Sequence, residues 1–159
     1  MVIALAAPPR LAAAQDTAAE FNRGLELARQ TKYREAIALW LPLRDQLADK
    51  ARPLYHKALG LAYRKLGDTA PAWHHLRQSG QLSSQPGKRL LRWQRDAARS
   101  LARTHRRVEL SCEGKLHFGS ADEAGYQCPV DWWLTPGTHT VTVTADAQVY
   151  SKELTVPGE

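Results

Sequence analysis

The feature that most limits the fold is a spacing that occurs twice. Gly24, Ala36 and Trp40 are separated by 12 and 4 residues, and Gly60, Ala72 and Leu76 repeat both gaps 36 residues further on. From Thr17 to about His105 apolar residues recur at steps of three and four, the period of an amphipathic helix. Small residues on two facing helices let the backbones approach closely, and a large residue one turn later fills the gap to the next pair. The pattern predicts two antiparallel α-hairpins over about 17–50 and 53–86; two unrelated amphipathic hairpins would be the plainer alternative. With 159 residues, 43% of them apolar, the chain can bury a real core. Collagen-like, disordered and coiled-coil-only folds are thereby excluded.

Local strings extend the pattern. Lys32-Tyr33-Arg34-Glu35-Ala36-Ile37 resembles the interhelix turn and second-helix start of the tetratricopeptide repeat. Leu66-Gly67-Asp68 resembles the same turn in a second unit, and Leu59-Gly60-Leu61-Ala62-Tyr63 the end of its first helix. That family's unit is about 34 residues long, so two extra residues fall within 46–52. The resemblance implies helix packing through Gly24, Ala36, Trp40, Gly60, Ala72 and Leu76. It also implies a concave ligand face on the first helix of each unit. The matching positions are Phe21 and Leu25, then Leu54, Lys57, Leu61 and Arg64, with Ala18 and Ala28 beside them. Such a mixture suits an acidic, partly apolar peptide; packing against the rest of the chain would use it equally well.

Fewer than three repeats need a cap, and residues 87–106 are expected to supply it as a helix. At 100° per residue Leu90, Ala97, Ala98 and Leu101 gather on one side, and Lys88, Arg92, Arg95, Arg99, Arg103 and Arg106 on the other. Residues 86–107 hold eight basic side chains and one acid, Asp96. The stripe is either a solvated face or a contact for an anionic partner. Like charges at i,i+4 repel, which favours the contact: an acidic protein, an anionic lipid headgroup, a glycan or, less readily, nucleic acid.

Around Arg107 the period falls to two. Val108, Leu110 and Cys112 alternate with polar residues, and later strands are expected at 116–118, 126–134, 139–145 and 148–156. The predicted fold is α+β, with helical hairpins and a capping helix over 15–106 and a small antiparallel sheet or sandwich over 107–159. Net charge divides at the same point, from +10 over residues 1–105 (18 basic, 8 acidic) to −4 over 106–159 (4 basic, 8 acidic). Leu134-Thr135-Pro136-Gly137-Thr138-His139, the strand that follows and the final Ser-x-x-Leu-x-Val strand resemble the PEGA-type β domain. That resemblance implies an envelope-associated domain without catalysis.

Cys112 and Cys128, 16 residues apart in neighbouring strands, would make one disulfide in an oxidising compartment, worth about 3 kcal/mol through loop closure. Otherwise they are two buried thiols. Trp132 and Trp133 are adjacent in a strand and point to opposite faces. One belongs to a core; the other is either exposed, ready to stack on a sugar ring, or covers the junction with the helices.

The chain opens Met-Val-Ile-Ala-Leu-Ala-Ala-Pro-Pro-Arg-Leu-Ala-Ala-Ala. This is too short for a bilayer span of about 20 residues, but Ala12-Ala13-Ala14 before Gln15 reads as a signal cleavage site. A disordered tail is the alternative for 1–14. No GxSxG, HExxH, P-loop, GxGxxG or CxxC string occurs, and His74 and His75 diverge by about 100° on one helix. No cofactor, metal or catalytic role is expected. The chain reads as an exported, periplasmic adaptor or scaffold subunit of a bacterial cell-envelope assembly. A glycan or cell-wall binding module is the second reading and a nucleic-acid binder the third.

Overall fold

The repeated glycine marks where the helices touch. In the computed structural model, which describes residues 9–83, 87–118, 126–128, 130–145 and 148–158, α1 (Pro9–Arg29) pairs with α2 (Tyr33–Trp40). Likewise α3 (Arg52–Leu66) pairs with α4 (Thr69–Leu82). A β-carbon at Gly24 would lie 2.6 Å from Trp40 Cε2, and one at Gly60 would lie 2.5 Å from Leu76 Cγ. The two hairpins thus use the same close approach with a different large residue. Ala36 and Ala72 are fully buried, and Trp40 Nε1 donates to the Phe21 carbonyl at 3.0 Å. Phe21, Ile37, Trp40, Tyr55 and Leu59 form the core that joins the first hairpin to the second.

Three helix boundaries differ from expectation. Residues 9–14, read as tail, continue α1; the start of the chain, 1–8, lies outside the described residues. The second helix is only eight residues long, and Leu41–Gln46 winds on as a 3-10 helix with Pro42 near its start. Proline cannot supply the N–H that an α-helix requires there. The capping helix α5 (Lys88–Leu101) stops five residues early. Residues 102–104 turn, and Arg106 and Arg107 pair as strand with Leu134 and Trp133. The ladder outcompetes the last helical turn because it satisfies the same backbone groups while burying its neighbours.

Among the described residues six strands follow: β1 (Arg106–Leu110), β2 (Lys115–Phe118), β3 (Tyr126–Gln127), β4 (Val130–Leu134), β5 (Gly137–Ala145) and β6 (Gln148–Val156). They form two antiparallel sheets, β1-β4 and β3-β2-β5-β6. The single expected strand over 126–134 is two short ones in different sheets. The expected polar loop at 119–125 and the turn at 146–147 lie outside the described residues. Leu116, Val130, Trp132, Leu134 and Val156 form one apolar cluster drawn from both sheets. A disulfide joins Cys112 to Cys128 at the edge of that cluster.

Candidate functional site

The residues expected on the concave face separate into two groups. Phe21 is buried with its ring 5.7 Å from that of Trp40, and Leu25 is half-buried in the same core. Neither is open to a ligand. The α3 residues are open: Leu54 is 54% and Leu61 38% exposed, with Lys57 and Arg64 exposed beside them. The Arg64 guanidinium lies 5.6 Å from the centre of the Trp93 ring, a point of contact between this face and α5. There Lys88, Arg92, Arg95 and Arg99 are all exposed, and Asp96 meets Arg99 at 3.6 Å. Two expected members of the stripe leave it. Arg103 sits in the turn after α5 and Arg106 in β1, because the helix ends at Leu101.

The tryptophan pair obeys the alternation of a strand, but neither ring is exposed; each residue is only 8% accessible. Trp132 enters the sheet cluster, 4.8 Å from the rings of Tyr126 and His74. Trp133 turns to the helices and packs with Trp73, Ala97 and Leu101, edge-on to Trp73 at 5.6 Å. The exposed-aromatic reading is therefore corrected. A second layer covers the face that an isolated strand would have offered to solvent.

Charge seals the same junction. Asp131, between Val130 and the tryptophans, receives Arg107 through Nε at 2.7 Å and Nη2 at 2.5 Å, and pairs also with Arg77 of α4. Both guanidiniums lie over the Trp73 ring, at 5.1 Å for Arg77 and 5.7 Å for Arg107. Burial works against the Asp131 carboxylate. The hydrogen bonds and charges of the two arginines outweigh it and hold the carboxyl below its ordinary range.

Beside this node lies a histidine cluster that the sequence did not announce. His56 of α3 and His75 of α4 meet Nδ1 to Nδ1 at 3.0 Å, so one ring donates and the other accepts. His74 Nδ1 donates to the Asp131 carbonyl at 3.1 Å. His75, 2% exposed, stacks within 5° of parallel on Tyr63. Burial pushes His56 and His74 down to about 4, helped for His56 by neighbouring positive charge, and pushes His75 well below its usual value. All three are neutral at pH 7. One signal was available: His56 lies ten residues before the Leu66-Gly67-Asp68 turn and His75 seven after it, within a helical turn of mirror positions across the hairpin. Among the described residues no group of three His, Cys, Asp or Glu could hold a metal ion.

These side chains border a cavity of about 430 Å³ between α3, α4 and the β1-β4 sheet. Neutral imidazoles and guanidiniums can bind and orient there. No family model, curated protein or solved structure matches the chain.

Proposed function

We propose that the chain is a non-catalytic, exported adaptor that holds an acidic protein partner in a cell-envelope assembly. The observation that carries this reading is the exposed face where α3 meets α5. Leu54, Lys57, Leu61 and Arg64 are exposed on one helix and Lys88, Arg92, Arg95 and Arg99 on the other, and the two helices touch where Arg64 lies over Trp93. Apolar residues interleaved with heads of one sign suit an acidic amphipathic segment. On this reading the hairpins are tetratricopeptide-like units with α5 as cap, and the two sheets are a PEGA-like sandwich that braces them. Export draws support from the Cys112–Cys128 disulfide. Among the described residues no helix is long and apolar enough to cross a membrane. The glycan alternative loses its platform, because Trp132 and Trp133 are buried.

The test is charge reversal. Arg92, Arg95 and Arg99 changed together to Glu should remove the partners captured by the wild-type chain from envelope extracts. The melting curve should barely move, since exposed positions contribute little to stability. Rising salt should mimic the loss, because exposed charges are screened within about 8 Å at physiological ionic strength. Retention of the same partners by a folded triple variant overturns the reading.

A further inference from the structure

We infer that the cavity between the helices and the β1-β4 sheet is a binding site for a small organic oxyanion, a carboxylate or phosphate carried on a flat, partly apolar body. Its volume of about 430 Å³ lies within the roughly 300–1,000 Å³ of small-molecule sites. A folded partner would not fit.

The charge around it is lopsided. Arg44, Arg52 and Arg77 line the cavity, against Glu109 and Asp131. Asp131 is shared between Arg77 and, through both oxygens, Arg107, which is not part of the lining and adds a further positive charge beside it. The carboxylate that meets Arg52, at 3.3 Å, belongs to the highly exposed Asp49. Positive charge therefore prevails around the recess. Arg44 is central to it: its charge is felt at Tyr55, His56, His74 and His75 alike. A guanidinium fork matches a carboxylate or phosphate with two parallel hydrogen bonds.

The rest of the wall selects the body of the ligand. Tyr55, His56, His75 and Tyr126 present rings, and Leu41 and Leu82 add aliphatic surface. Gln78 and Gln81 supply amides. None of the α3–α5 residues assigned to the adaptor face lines this cavity, so either site can fail without the other.

Calorimetric titration of the full-length chain with benzoate, phenyl phosphate, inorganic phosphate and benzamide tests the assignment. Benzoate or phenyl phosphate should bind at least about tenfold more tightly than neutral benzamide, since a charged hydrogen bond is about twice as strong as a neutral one. The tighter of the two identifies the head group as carboxylate or phosphoryl. Arg44→Gln with Arg52→Gln should weaken the anion by at least about tenfold. Should that variant fail to fold, Gln78→Trp, which fills the cavity without altering its charge, should block binding instead. The assignment is overturned if no probe binds at millimolar concentration, or if benzamide binds as well as benzoate. It is also overturned if inorganic phosphate matches phenyl phosphate, or if a folded variant binds like the wild type.

Discussion

Gly24 and Gly60 are the residues at which the helical half has least room. Changing either to Ala places a methyl group within 2.6 Å of Trp40 Cε2 or 2.5 Å of Leu76 Cγ. Each change should cost about 1–3 kcal/mol, the usual penalty of overpacking, in urea unfolding. Trp40→Leu should recover part of the loss at Gly24, because the ring that clashes is gone; strictly additive costs would show that the contact is not the cause. His56 governs a different variable. Its titration is pushed down to about 4, first by burial and then by the charges of His74, Arg44 and Arg52. The unfolded chain takes up this proton near 6.5, and the folded one does so only near 4. Between those values the unfolded state binds more protons, so stability is full above pH 6.5 and drains as the pH falls towards 4. His56→Gln should flatten that decline in melting temperature measured from pH 7 to 4.5. An unchanged slope would assign the decline to other groups.

At the scale of elements, what could be read in advance depended on how far the deciding partner lay along the chain. Helix and strand periods are local, so the change from α to β near residue 106 and the α+β class were legible. So was the approach of Cys112 to Cys128, 16 residues apart, although both lie in the connections just after β1 and β3 and not in neighbouring strands as expected. The end of α5 was not legible. Arg103 and Arg106 continue a helical wheel without fault, and only β4, met almost thirty residues later, draws Arg106 into a ladder. The tryptophan pair makes the same point. Alternation assigns Trp132 and Trp133 to opposite faces, yet what covers Trp133 is Trp73 of α4, 60 residues earlier. The histidine cluster needed both kinds of information at once: a hairpin pairing for His56 and His75, and the Asp131 carbonyl for His74.

For the whole molecule, Trp133 is the join. It belongs to β4 but packs in a cluster otherwise made of Trp73, Ala97 and Leu101 from the helices. Unfolding of the wild type should therefore be one transition, the same by far-ultraviolet circular dichroism and by tryptophan fluorescence. Trp133→Ala should cost about 3–5 kcal/mol, as large-to-small changes at buried aromatic sites do, and should separate the two curves as the halves lose their common core. Coincident curves in that variant would locate the coupling at Asp131 instead. The short passage from Leu101 to Arg106 has a mechanical side as well. A pull delivered through α5 meets almost no slack before it reaches β1, where five residues are paired with β4 from Arg106–Leu134 to Leu110–Val130. Arg106 is paired with Leu134, where the chain leaves β4, so tension between the two ends of the chain meets that rung first and opens the ladder one pair at a time. The short junction thus delivers any force on α5 directly to the Arg106–Leu134 rung, where helices and sheet would part first.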